Sequence, residues 1–290
     1  MRGMILLGLF GVAMVFFAGC TSPPLPGSGI VQEEFHGEYT LPPGATLQVS
    51  NLNGNIAISG SPDQTLVVNA VKSSQYGQAE LDKVTIEVQN GSAAMVVTRI
   101  ASPGARVTVR YEILVPGTVL VERVETTNGN IDASGIMGNG VVGTTNGNLD
   151  LSDWAGTLSA GSTNGNIVVH NIGNLISLHT TNGQISGTLG YLTGNPATIS
   201  TSNGAVMLEL DRDLSSPLSV SSSNSPVTVT IPEVFNANVD LSTTNGQILL
   251  EGVTLTGGSG TGRHQVGILG NGGPLLNIMT TNGNIILKTA

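Results

Sequence analysis

The chain is poor in the residue types that most often carry chemistry. It has one cysteine in 290 residues, Cys20, which excludes a disulfide framework and any Cys₂ or Cys₄ metal centre. Only 10 Lys+Arg stand against 19 Asp+Glu, a formal net charge of −9, so the basic footprint that nucleic acid requires is missing. Charged residues make up 10% and aromatics 3%, while 39% are hydrophobic. Disordered chains show the opposite balance, so a folded protein is expected. Beyond the first twenty residues no apolar run approaches the ~20 residues needed to span a bilayer. What is abundant is glycine, with 40 residues, among many β-branched residues. Patterns of period 3.6 are absent from the mature chain, which disfavours helix and points to an all-β fold.

Residues 1–20 read MRGMILLGLFGVAMVFFAGC. One positive charge, an apolar run and a small-residue exit are the layout of a secretory signal. Phe17-Ala18-Gly19-Cys20 resembles the bacterial lipobox, with Phe in place of the commoner Leu at its first position. The resemblance implies that 1–19 is a lipoprotein signal peptide and that Cys20 carries covalent lipid; the alternative is an uncleaved membrane anchor. Thr21 in second place of the mature chain favours the outer membrane in a Gram-negative cell. Residues 20–29 are then the lipidated cysteine and a flexible Pro/Gly/Ser tether, which forms neither helix nor ladder.

The dominant feature is a repeat. Asn-Gly pairs occur at Asn128-Gly129, Asn146-Gly147, Asn164-Gly165, Asn182-Gly183, Asn203-Gly204, Asn245-Gly246 and Asn282-Gly283, and Asn224-Ser225 fills the one gap. Successive spacings are 18, 18, 18, 21, 21, 21 and 37 residues. The last step is therefore one enlarged unit or a unit plus an excursion. Three residues after each Asn stands Ile, Leu or Val, from Ile131 and Leu149 to Ile285. Five after stand mostly aliphatics, with Gly187 the exception in size; four before stand Val142, Ala160, Leu178 and their equivalents. Two before, every residue is Ser or Thr. A spacing of two is strand periodicity, and Asn-Gly tolerates positive φ, so each pair is expected to bend the chain between two strands. A hairpin meander is the rival, since Asn-Gly also favours hairpins. A constant apolar phase every 18–21 residues is better explained if each unit is one winding of a β-solenoid, with Ser/Thr and Asn ladders along its axis. No winding is stable alone, so stacking is required.

Residues 126–290 are thus read as solenoid repeats and residues 30–125 as an N-terminal β cap that protects the first edge. Asn53-Gly54-Asn55-Ile56 already carries the repeat signature within the cap, and residues 72–83 are expected to form an exposed loop or short helix. Leu41-Pro42-Pro43-Gly44, Leu47-Gln48-Val49-Ser50-Asn51-Leu52-Asn53-Gly54, Tyr111-Glu112-Ile113-Leu114-Val115-Pro116 and the Thr-Thr-Asn-Gly-Asn-Ile units follow in order. Over residues 35–290 this resembles the bacterial candidate-adhesin family DUF4097. The resemblance implies a right-handed single-stranded β-helix on the cell envelope and supplies no catalytic residues. Asn224-Ser225 departs from its motif.

Candidate chemistry is thin. Asp132 and Asp150 occupy the same place in consecutive units, about 5 Å apart if stacked, a spacing that suits a glycosidase pair or a Ca²⁺ site. Their phase points to solvent, so a solvated pair is the expectation. Asp211-Arg212-Asp213 reads as an exposed loop. His36, His170, His179 and His264 share no ligand spacing. Gly257–Arg263 looks like a phosphate loop but lacks the Lys-Ser/Thr ending, so it reads as a flexible excursion. Trp154 and Tyr191 are either exposed sugar platforms or covers for a corner. The reading is a non-enzyme: an adhesin or scaffold lipoprotein with no catalytic residues, no metal and no cofactor beyond the lipid on Cys20. Its expected partners are the membrane, through the lipid, and an envelope or extracellular protein or glycan. An envelope-stress binding module and a polysaccharide-active enzyme are the alternatives. The last unit is expected to be either covered by an excursion at 251–277 or open to a partner; association of the protein that is abolished by proline at Ile286 would indicate the open edge.

Overall fold

The structure, a computed structural model, describes residues 29–190, 192 and 194–290. Cys20, the expected signal peptide, most of the expected tether and Tyr191 lie outside the described residues. The N-terminal strands are β1 (Val31–Thr40), β2 (Thr46–Ser50), β3 (Ile56–Ser61), β4 (Thr65–Ser74), β5 (Val84–Gln89), β6 (Ala93–Ile100) and β7 (Thr108–Pro116), with the short helix α1 (Gln78–Leu81) between β4 and β5. The repeat strands come in pairs: β8 (Leu120–Asn128) with β9 (Ile131–Ser134), β10 (Gly140–Asn146) with β11 (Leu149–Ser152), β12 (Thr157–Ser162) with β13 (Ile167–Ile172), and β14 (Asn174–Thr180) with β15 (Ile185–Leu189). They continue as β16 (Ala197–Thr201) with β17 (Val206–Leu210), β18 (Leu218–Ser222) with β19 (Val227–Ile231), and β20 (Ala237–Thr243) with β21 (Ile248–Glu251). Last come β22 (Thr256–Thr261), β23 (His264–Leu269), β24 (Leu275–Thr280) and β25 (Ile285–Thr289).

These strands make two sheets. One holds twelve strands in the order β1-β4-β7-β3-β9-β11-β13-β15-β17-β19-β25-β21. The other holds thirteen, in the order β22-β23-β20-β24-β18-β16-β14-β12-β10-β8-β2-β6-β5. Each repeat unit gives one strand to each sheet, separated by its Asn-Gly corner. Within both sheets the repeat strands pair parallel with the equivalent strand of the next unit, as Leu149 opposite Ile131 and Ile167, or Val142 opposite Val124 and Ala160. The rival meander, which would pair neighbouring units as antiparallel hairpins, is not what forms.

The alternation of the sequence dictates this arrangement. Every aliphatic three residues after the corner is buried, from Ile131 at 1% exposure to Ile248 at 9%. Those four residues before it, Val124 through Ile278, join them in one core cluster between the sheets. Each fully buried aliphatic contributes about 1.5–3 kcal/mol. The intervening residues face out, as in β10, where Val142 and Thr144 are buried and Val141 is exposed.

Four expectations need correction. First, the corner glycines do not serve a left-handed backbone: none of Gly129, Gly147, Gly165, Gly183, Gly204, Gly246 or Gly283 has positive φ, nor do their Asn neighbours. A Cβ at Gly165 would lie 1.7 Å from the carbonyl oxygen of Gly147, and the other six meet a neighbouring carbonyl at 1.7–2.1 Å. Close axial stacking, not dihedral freedom, requires glycine here.

Second, the units do not stack in chain order at their end. The Asn282 unit (β24, β25) lies between the Asn224 unit (β18, β19) and the Asn245 unit (β20, β21). The chain passes one rung, builds the outer one, makes the β22–β23 excursion, and returns to fill the space. Ile286 therefore sits opposite both Thr228 and Leu249, in a strand interior to its sheet.

Third, Gly257–Arg263 is not a flexible loop. Most of it is strand β22, paired antiparallel with β23, which in turn covers the edge of β20. Gly258 and Gly260 permit this, since a Cβ would meet Val266 O at 2.3 Å and His264 O at 2.2 Å. Fourth, residues 72–83 do hold a short helix, α1, but their first part is neither loop nor exposed. Strand β4 runs through Ser74, and Lys72 is buried, with Nζ donating to Val84 O at 3.1 Å and paired with Glu33 at 2.9 Å.

Parallel stacking also begins earlier than residue 126. Strands β2 and β3 pair parallel with β8 and β9, and Asn53 bridges Asn128. Beyond them, β6–β5 closes one sheet, while β7, β4 and β1 close the other. The outermost edge β1 carries Glu33, Glu34 and Glu38, charges that discourage further strand addition.

Candidate interaction surface

The corners align into three hydrogen-bonded rows. In the first, each Asn Nδ2 donates to the Oδ1 of the preceding rung: Asn128 to Asn53 at 2.7 Å, then Asn146, Asn164, Asn182, Asn203 and Asn224, each at 2.8 Å. The row continues from Asn282 to Asn224 at 2.8 Å and from Asn245 to Asn282 at 2.7 Å. In the second, the buried hydroxyl two residues earlier donates to the corner carbonyl of the neighbouring rung, as Thr144 Oγ1 to Gly129 O and Thr180 Oγ1 to Gly165 O, both 2.9 Å. In the third, the residue two after Asn uses its backbone N–H on the side-chain oxygen of its neighbour, as Asn148 on Asn130 at 2.8 Å. The seven Asn-Gly pairs of the repeat thus fall along one row.

The rows have direction. Among the described residues, Asn53 Nδ2 is left without an acceptor at one end and Asn245 Oδ1 without a donor at the other. At the Asn53 end lies an open groove of about 630 Å³, lined among others by Asn53, Asn55, Gln75, Tyr76, Arg106 and Thr108. Among the described residues, no Asp or Glu lines it. The Arg106 guanidinium sits 4.6 Å from the centre of the Tyr76 ring, and Tyr76 is 60% exposed. Arg106 is held by its backbone N–H, which donates to Glu80 Oε2 at 2.8 Å. Lys83 and Arg106 together keep the Glu80 carboxyl below its ordinary range, chiefly through the Lys83 hydrogen bond.

Near the groove a buried polar network joins the two sheets. Asn51 Nδ2 donates to Val109 O at 2.8 Å, Thr98 Oγ1 donates to Asn51 Oδ1 at 2.9 Å, and Thr98 Oγ1 lies 2.7 Å from Tyr111 Oη. Burial pushes the Tyr111 phenol up to about 12, with the Thr98 hydrogen bond opposing.

The other candidates do not assemble. Asp132 and Asp150 face each other on adjacent rungs, and both are exposed on an outer face. All four histidines are exposed and none bonds to another: His36 contacts Asn69, His179 contacts Ser200 and His264 contacts Asp240. Asp213 accepts from Asn236 N at 2.8 Å and Asn236 Nδ2 at 2.7 Å, tying one return loop to the next. Trp154 is buried, donates from Nε1 to Gly138 O at 2.9 Å, and packs where a Cβ on Gly140 would be 2.2 Å from the ring. It covers a corner. Among the described residues, no three His, Cys, Asp or Glu side chains are grouped to hold a metal, and no helix is long and apolar enough to cross a membrane.

Sequence reasoning did not find the Arg106–Tyr76 groove. Its two halves are thirty residues apart, and no local motif marks either.

No protein-family model matches the sequence, that of DUF4097 included. No curated protein matches it either. Several solved structures match over most of the chain at low identity. A candidate adhesin from Parabacteroides distasonis is 12% identical, with 90% of this chain and 97% of that one covered at a TM-score of 0.41. One from Parabacteroides merdae is 12% identical over 91% and 97%, at 0.39. A candidate cell adhesion protein from Clostridium sporogenes is 12% identical over 89% and 100%, at 0.30.

Proposed function

We propose that the protein is a non-enzymatic lipoprotein of the cell envelope that presents a rigid β-solenoid for binding, as an adhesin or scaffold. The observation that carries this reading is the continuous Asn row from Asn53 to Asn245, in which every rung is fastened to the next by side chain as well as backbone. Such a body is stiff and holds its surface groups at fixed intervals. Strand-to-strand crossovers in parallel sheets are right-handed in about 98% of cases, which supports a right-handed single-stranded β-helix. Residues 126–290 act as its repeats and residues 30–125, which also supply the first rung at Asn53, as its N-terminal cap. Residues 20–29 form the lipidated tether on Cys20, which places the molecule on the outer membrane in a Gram-negative cell.

Cell fractionation with protease accessibility tests the anchor. Wild type is expected in the membrane fraction and Cys20→Ala in the soluble one; a Cys20→Ala protein that stays membrane-bound overturns lipidation. Adherence of cells carrying wild type, compared with cells lacking the protein, tests the binding role. The adjacent Asp132 and Asp150 favour the enzymatic alternative more than any other feature does. Polysaccharide turnover by the purified protein that is lost in Asp132→Asn or Asp150→Asn would replace the proposed function.

A further inference from the structure

We infer that the groove at the Asn53 end is a binding site for an acidic oligosaccharide, one that carries uronate-type carboxylates. The inference rests on the binding role proposed above and assigns it a ligand class. Three observations converge on it. The chain has a formal net charge of −9, yet among the described residues no carboxylate lines this groove and Arg106 is its one cation, while Glu80, which meets the Arg106 backbone, is paired with Lys83. The donors there lack partners. Asn53 Oδ1 accepts from Asn128 Nδ2, which fixes the amide so that its own Nδ2 is the unused donor of the whole row. Asn55 Oδ1 accepts from the Asn130 backbone N–H at 3.0 Å, and so its Nδ2 is likewise presented outward. Arg106 donates its backbone N–H to Glu80, whose carboxylate also feels the guanidinium charge, and among the described residues the guanidinium itself makes no hydrogen bond. The last observation is the ring: Tyr76 has the guanidinium over one face and is 60% exposed, which leaves apolar ring surface for the C–H face of a sugar.

Each part has a physical role. Guanidinium recognises carboxylate through paired N–H donors in a fixed plane. Amide Nδ2 groups at fixed positions on a rigid stack donate to ring and hydroxyl oxygens without first having to be ordered. A volume of about 630 Å³ lies within the range of small-ligand sites, roughly 300–1,000 Å³. An acidic peptide would also satisfy Arg106. The sugar is favoured because the groove offers an open ring and amides rather than apolar pockets for alternate side chains.

Titration of the purified protein with trigalacturonate, followed by calorimetry and by amide shifts, is the test. Saturable binding is expected, at least about tenfold weaker for neutral maltotriose, for Arg106→Gln and for Tyr76→Ala, and weakened by added salt. Glu209→Gln, on a distant outer face, is expected to bind as wild type does. Both groove variants alter exposed side chains, and unchanged circular dichroism establishes that they fold. No binding of trigalacturonate, or equal binding by Arg106→Gln, overturns the site. Equal binding of maltotriose overturns the acidic requirement, and equal binding of tri-glutamate overturns the sugar in favour of a peptide. Cells that still adhere through a protein lacking the groove would overturn this site while leaving the broader binding role intact.

Discussion

A single atom decides each corner. The carbonyl oxygen of one corner glycine accepts the neighbouring Thr or Ser hydroxyl and also occupies the space a side chain would need on the next rung. Gly165→Ala is therefore expected to cost at least about 2 kcal/mol, read as a lower urea midpoint. Gly262→Ala, with open space around it and no positive φ, is expected to change stability by less than about 0.5 kcal/mol. Equal effects of the two would refute the stacking explanation. Tyr111 gives a pH test. Its phenol is raised from 10.0 to about 12 by burial, so its neutral form favours the folded state. That contribution is intact below pH 10 and is lost as pH rises through about 12. Urea midpoints should fall over this window in wild type and fall less in Tyr111→Phe. A Tyr111→Phe protein with the same alkaline slope would show that the phenol is not the group responsible.

At the scale of elements, the returning strands β24 and β25 hold the far end together. Each touches two neighbours, and the outer pair β20 and β21 meets the rest of the repeat sheets only through them. A chain stopped after Pro274 should lose hydrogen-exchange protection in residues 237–269 while residues 131–210 keep theirs. Ile286→Pro should do the same in milder form, since proline cannot donate within an interior strand. Protection at 237–269 that survives both changes would contradict the observed rung order. The strands themselves were legible in the sequence. Leu149, Ile167 and Ile185 mark one sheet and Val142, Ala160 and Leu178 the other, because a spacing of two admits one inward phase. The order of the last three rungs was not legible. Asn224, Asn245 and Asn282 all offer the same amide, so no residue states which of them are neighbours. The groove was hidden for a related reason: β4 and β7 bring Tyr76 and Arg106 together by pairing, Ser73 opposite Thr108, and nothing near either residue announces it.

The whole molecule is long in one direction. Twelve or thirteen strands at ~4.8 Å spacing give each sheet a breadth of roughly 55 Å, against a sheet-to-sheet separation of about 10 Å. Small-angle scattering of residues 29–290 should yield an elongated particle; a near-spherical profile would be incompatible with the stack. Its two outer faces differ. Around β12, β14, β16 and β18 the outward positions are Ser159, Ser177, Thr198 and Ser219, with Gly161, His179, Ser200 and Ser221 beside them. The opposite face carries Asp132, Asp150, Glu209 and Lys288.

The one-way Asn row has an evolutionary corollary. Because every interior rung receives the same contacts below and offers the same contacts above, a duplicated stretch of 18–21 residues would inherit its neighbours ready-made. The out-of-order Asn282 unit demonstrates the tolerance, since it fits between two others despite coming last in the polypeptide. Selection could therefore lengthen or shorten such a molecule by whole units, setting how far it reaches, without having to reinvent either tip.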